Sequence, residues 1–172
     1  HEKEVTGFYM SGHPLDEYKL EMETFCNVKF ADLKNSAAYL KNKDLAFAGI
    51  VTGVAHKIAK NGKPFSTFTL EDFDDQFSIM LFSEDYLKYK HFLIEGTALF
   101  VKGKMQPHFK QEERLELKIS YICLLAEVIE KFTSELTLQF KLENINHEKV
   151  EQLYKLIKQN KGNCKLTLRV FD

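Results

Sequence analysis

Neither sign of charge prevails in this sequence: 24 Lys and Arg stand against 25 Asp and Glu, a formal net charge of -1. So balanced a chain exerts no global pull on nucleic acid, and any such function has to rest on a local patch. Tryptophan is absent, and 15 Phe carry most of the aromatic content. Cysteine occurs only at Cys26, Cys123 and Cys164, with no C-x-x-C spacing among them. That argues against a disulfide framework or a zinc site and points to a reducing, cytoplasmic compartment. His13, His56, His91, His108 and His147 never fall at paired ligand spacing, so no metal is expected on their account. No apolar run is long enough to span a membrane, and no signal-peptide pattern opens the chain. What is present is ordinary globular material: 172 residues, 44% hydrophobic and 28% charged, enough for one domain or two small ones. The start at His1, without Met, reads as a piece cut from something longer.

The texture changes along the chain. Residues 1–27 read as a helical lead-in in two parts, with Gly12 in a left-handed position and Pro14 in the first turn of the second helix. Residues 28–44 form a mixed connector. Residues 45–128 are β-rich: "LAFAGIVTGV" from Leu45, "KPFSTFTLE" from Lys63 and "QFSIMLF" from Gln76 read as three strands. Gly49 and Gly53 inside the first mark a bulge or bend. "SEDYLKYKHFLIEG" reads as a helix with Ser83 as N-cap and Gly96 as its end, and "ALFVKGKM" and "RLELKISYI" as strands four and five. Three strands, a helix and two strands, with a glycine-bearing first strand, match the five-stranded Greek-key barrel known as the OB-fold. An SH3-like barrel lacks such a helix at that point, whereas a split β-sandwich would present the same string. Residues 129–172 read as a strand, a helix capped by Asn146 and stopped by Gly162, and a second strand. Two strands alone are marginal, so this unit is expected to be the start of a truncated α+β domain. The fold class is therefore mainly β with α.

Two acidic or nucleophilic clusters invite a catalytic reading. "SGHPLDE" holds Ser11, His13 and Asp16 close together, but triads are assembled by geometry rather than adjacency, and a turn between helices explains the residues better. "EDFDD" (Glu71, Asp72, Asp74, Asp75) would suit metal-assisted nucleotidyl transfer by residue type. It sits at a hairpin turn, where Asp bonds its own backbone, and lacks the spacing of a calcium loop. No catalytic or metal residue is assigned.

The binding signal lies elsewhere. The loop after the first strand, "HKIAKNGKPF", carries Lys57, Lys60 and Lys63 with no acid, followed by Phe65. Cations that follow phosphates beside a ring that stacks a base are what a single-strand binder needs. Alternation puts Phe65 and Thr67 on the outer face, with Phe68 and Leu70 in the core. The loop between strands four and five, "QPHFKQEER", adds His108, Lys110 and Arg114, and Lys102 and Lys104 should project from strand four. An OB-fold uses these two loops and strands two and three to bind oligonucleotides or oligosaccharides. The plain alternative for each lysine is a solvated surface charge.

"EKEVTGFYMSGHPLDEY", "AGIVTGV", "KNGKP", "FTLED", "MLFSEDYLKY" and "LFVKGKM", in that order, resemble the C-terminal part of the bacterial DNA polymerase III alpha subunit family, most closely from Glu2 to about Leu124. The resemblance implies an OB domain near the single-stranded template, then the beginning of a domain that contacts the tau subunit of the clamp loader. It also places the catalytic aspartates and main clamp-binding motif before residue 1. The parent polymerase is expected to use magnesium, and this stretch to need no cofactor. The first loop is less arginine-rich than is usual in the family. The expectation is a non-catalytic OB-fold stretch that binds single-stranded template DNA. A protein-interaction scaffold for replisome partners is the alternative, and a carbohydrate- or tRNA-binding module a more distant one.

Overall fold

The computed structural model describes residues 12–35, 38–108 and 111–172, and only the backbone of 111–114. The expected helix over Glu2 to Met10, and Ser11, lie outside the described residues. By contacts the chain divides into two compact units, one ending at Val128 and the other Ile129–Asp172.

In the first unit β1 (Asp44–Ile58), β2 (Pro64–Glu71), β3 (Gln76–Phe82), β4 (Ala98–His108) and β5 (Gln111–Leu124) form one antiparallel sheet in the order β3-β2-β1-β4-β5. β1 is shared, pairing β4 along its first half and β2 along its second, as a strongly bent first strand of a Greek-key barrel must. It bends at a bulge: Val51 opposes Leu70, yet Gly53 opposes Thr69, which leaves Thr52 without a partner position. Before the bulge Leu45, Phe47 and Val51 face the core; after it the inward position passes to Val54, opposite the buried Phe68. One extra residue exchanges the two faces of the strand.

The interior is filled by Phe47, Phe68, Leu70, Ile79, Leu81, Leu99, Val101, Met105 and Ile122. A short helix, α2 (Phe30–Asn35), lies inside the expected connector and contributes Phe30 and Leu33 to that core. Phe30 meets Phe47 edge-on at 5.7 Å and lies near-parallel to Phe77 at 6.2 Å. Gly49 makes room for it, since a Cβ there would come within 2.9 Å of the Phe30 ring and 2.7 Å of the Glu71 carbonyl oxygen. The segment is thus part of the barrel rather than a linker. Leu15, Ala46, Ala48, Ile50, Phe100 and Cys123 are buried outside this cluster. Alternation puts Ala46, Ala48, Ile50 and Phe100 on the outer face of β1 and β4, beneath covering chain.

The turn between β2 and β3 holds α2 in place. Asp72 accepts from the Asp74 and Asp75 N–H groups at 2.9 and 2.8 Å through one carboxylate oxygen. Its other oxygen accepts from the Phe30 N–H at 3.2 Å, an orphan donor at the start of α2. Lys34 pairs with Asp75, and Lys29 lies 3.6 Å from Asp74. His13 packs against Phe73 of the same turn, with ring centres 4.7 Å apart and planes tilted by 44°. Gly12 is at φ 108, and Asp16 accepts from the His13 N–H at 2.8 Å, closing the entry to a single 3-10 turn and α1 (Lys19–Phe25). The lysine hydrogen bond to Asp75, then the Gln76 N–H, hold that carboxyl below its ordinary value of 3.8.

The expected helix after β3 is shorter than its sequence pattern. α3 (Ser83–Tyr89) is followed by a 3-10 turn, Lys90–Phe92, and Gly96 at φ 85 leads into β4. Ser83 is not the cap; it opens the helix at φ 48, and no side chain caps Phe82 before it. Tyr89 is buried and donates to the Ser120 carbonyl at 3.0 Å.

α4 (Val128–Phe132) begins at the last residue of the first unit and leads into the second, which holds β6 (Glu135–Lys141), α5 (His147–Gln159) and β7 (Lys165–Phe171), with β6 and β7 parallel. Leu136, Leu138 and Phe140 pair with Leu166, Leu168 and Val170 on one face, and Thr137 and Gln139 with Thr167 and Arg169 on the other. Asn146 caps α5 by accepting from the Lys149 N–H at 2.9 Å. The helix stops before Gly162, at Asn160, whose side chain donates back to the Leu156 carbonyl. Among the described residues no helix is long and apolar enough to cross a membrane.

Three outcomes follow from this packing. Asp72→Ala leaves the buried Phe30 N–H and two part-buried turn N–H donors unpaired and should cost roughly 1–3 kcal/mol in chemical denaturation, whereas Asp74→Ala, which loses an exposed ion pair, should cost less than about 1 kcal/mol. Gly49→Ala drives a methyl into Phe30 and backbone and should destabilise by about 1–3 kcal/mol; Gly53→Ala, with nothing within 4 Å of its Cβ, should not lower the melting temperature. Because the carboxyl of Asp75 is depressed, its contribution is present above 3.8 and lost as pH falls through the lowered value. Lys34→Met should therefore melt below wild type at neutral pH and converge with it in acid.

Candidate nucleic-acid interface

The bulge in β1 determines what the basic loop stands beside. Downstream of it Gly53, Ala55 and Lys57 share the outer face, and Lys57 pairs with Phe65, which pairs with Phe82. Partners directly opposite in an antiparallel ladder point to the same side. Three strands thus supply one row of a cation and two rings. Phe65 and Phe82 lie near-parallel, with centroids 5.6 Å apart and planes 20° apart. The next row is Ala55, Thr67 and Met80, and the next Gly53, Thr69 and Ser78, whose two hydroxyls bond each other at 3.0 Å. Small side chains from β1 leave this face open beside the rings.

Phe68 and Leu70 are fully buried, and Phe65, Thr67 and Thr69 remain partly exposed, so the alternation along β2 runs as expected. The loop from β1 to β2 is a tight turn. Ala59 donates to the Lys63 carbonyl at 2.9 Å, Gly62 sits at φ 78, and the Asn61 side chain accepts from the Lys63 N–H at 3.2 Å. Lys57, Lys60 and Lys63 are all exposed on this projecting hairpin.

The other candidates stand apart from that row. Lys102 and Lys104 are half-buried on β4, opposite Ala46 and Asp44 at the far end of β1 from Lys57. Lys104 lies 3.4 Å from the Asp44 carboxylate, and the Lys102 ammonium 5.6 Å from the Phe100 ring centre. His108 Nε2 is 3.8 Å from Glu116. Lys110 lies outside the described residues, as does the side chain of Arg114. Phe82 and Met80 were not singled out from sequence. The available signal was the alternation of Gln76, Ser78, Met80 and Phe82 against the buried Ile79 and Leu81.

The two catalytic readings find their side chains already occupied. His13 Nδ1 accepts from the Leu15 N–H at 3.1 Å, and Asp16 pairs with Lys19 at 2.8 Å. The acidic run is likewise occupied: both Asp72 oxygens accept backbone N–H groups, Asp74 and Asp75 face lysines, and Glu71 accepts from the Gln76 side chain at 3.4 Å. Burial pushes the Cys26 thiol up to about 12, which keeps it an unreactive packing group.

A family model described as an OB-fold nucleic acid binding domain matches residues 46–125. The chain is 30% identical over 165 residues to the DNA polymerase III subunit alpha of Buchnera aphidicola subsp. Acyrthosiphon pisum, covering 94% of this chain and 14% of that protein. It is 34% identical over 105 residues to the protein of the same name from Borreliella burgdorferi, covering 60% of this chain and 9% of the other. Among solved structures, a mitochondrial single-stranded DNA binding protein from S. cerevisiae overlaps 49% of this chain and 95% of its own, at 14% identity and a TM-score of 0.38. The chain spans about one seventh of the length of the first of these relatives. In sequence it belongs to the family of DNA polymerase III alpha subunits, over a stretch whose residues 46–125 match the OB-fold model.

Proposed function

We propose that the barrel binds single-stranded nucleic acid, template DNA in the setting of a replicative polymerase, across the outer face of β2 and β3 and along the β1–β2 loop. The single observation that carries this reading is the row formed by Lys57, Phe65 and Phe82, with Lys60 and Lys63 beside it on the projecting turn. Ammonium groups track phosphates without reading sequence, and exposed rings stack any base. With a net charge of -1 the chain as a whole exerts no long-range attraction, so a local patch such as this loop has to supply it. Lys104, paired with Asp44, is less available, as a phosphate would have to displace a carboxylate.

One observation favours a protein partner for the second unit. α5 buries no residue, and Val150, Tyr154, Leu168 and Val170 are about half-exposed. This apolar surface supports the contact with the clamp-loader tau subunit that the family resemblance implies, alongside rather than instead of DNA binding by the barrel.

Titration of labelled single strands at several salt concentrations tests the barrel's role. Each phosphate contact should contribute roughly 0.7 to the slope of log affinity against log salt on a single strand. Replacing Lys57, Lys60 and Lys63 by Gln should weaken binding and flatten the slope by roughly 2. Lys104→Gln should change it less than Lys57→Gln does, and Lys158→Gln on α5 not at all. An unchanged slope in the triple variant would mean that the loop is only a solvated surface.

A further inference from the structure

Resting on that reading, we propose that Phe65 and Phe82 act together as one two-ring platform for an unpaired base, and that the strand lies with its phosphates toward the β1–β2 loop and its bases toward α3. The rings come from different strands yet are register partners, near-parallel at 5.6 Å, and Phe82 keeps 53% of its surface exposed. A cross-strand aromatic pair also stabilises a hairpin, but that role leaves no reason for an open face beside it. Here the neighbouring outer positions Ala55 and Thr67 are small, and Met80, the third member of that row beside Phe82, is itself half-exposed. The charges on the two sides differ in sign. Lys57 stands at one end of the row, while Glu84 and Asp85 follow Phe82 directly at the start of α3. A polyanion crossing the row is drawn to the first end and repelled from the second, so its backbone runs along β1 and its bases reach over β2 and β3. Duplex DNA, with its bases paired and stacked inward, cannot offer a ring face to this platform.

Phe82→Trp provides a direct reporter, because the chain contains no other tryptophan. Its emission should be quenched by a single strand with the same midpoint as binding, and little by an equally long strand made abasic. Phe82→Ala should weaken single-strand binding roughly 5- to 150-fold, the range expected for loss of one base–aromatic stack, with the salt slope unchanged. Combined with Phe65→Ala it should cost less than the product of the two single effects, since removing either ring spoils the pair. Glu84→Gln with Asp85→Asn should leave affinity within about twofold if phosphates run on the other side. Phe82 is half-exposed, so both variants should still fold and melt cooperatively, Phe82→Ala somewhat below wild type for the lost cross-strand pair. Binding that still depends on the loop lysines but is indifferent to Phe82→Ala, with no quenching at Trp, would overturn the platform and leave the loop reading intact. Absence of salt-dependent single-strand binding in the wild type would overturn both.

Discussion

Side chains alternate along a strand, so an unpaired residue in its middle reassigns every position that follows. The unpaired Thr52 does this in β1. Without it Lys57 would share the inward parity of Phe47 and Val51, under the barrel rather than beside Phe65. With it, the half of β1 that pairs with β4 packs Leu45, Phe47 and Val51 into the core. The half that pairs with β2 turns Gly53, Ala55 and Lys57 outward. The same residue bends the strand enough to be shared between two sets of partners, which the barrel requires, and sets the charge of the loop beside the rings, which the proposed binding requires.

The end of the barrel depends on a second local device. α2 is six residues long, too short to be stable by itself. It persists because Asp72, in a hairpin turn 42 residues away, accepts its first N–H while also shaping the turn. That carboxylate brings Phe30 over the space left by Gly49 and into contact with Phe47. The aspartates of the acidic run are thus occupied in holding two elements together, with Lys29 facing Asp74 and Lys34 facing Asp75.

Much of this was legible before any coordinates, and the exceptions have physical causes. β2 reads correctly because period-two alternation from Phe65 to Leu70 needs no context. Gly53 marks the bulge, as a glycine inside a strand often does. The bulge's consequence for Lys57 depends on register with β2, which no local pattern reveals. Phe82 does not stand out in the sequence because it abuts α3, and its meaning appears only when it is set opposite Phe65. α2 reads as connector because six residues carry little periodicity and its support comes from Asp72. Lys102 and Lys104 do project outward, but the ladder places them at the other end of β1, and Asp44 opposite Lys104 was not visible as a partner in sequence.

The central claim is that one outer row, Lys57, Phe65 and Phe82, meets the bases and phosphates of a single strand. Photocrosslinking a single strand that carries 5-iodouracil, with the attached residues located by mass spectrometry, tests it most directly. The account predicts adducts at Phe65 and Phe82, lost when duplex is formed. Adducts confined to β4 or to residues 129–172, with none on β2 or β3, would contradict it.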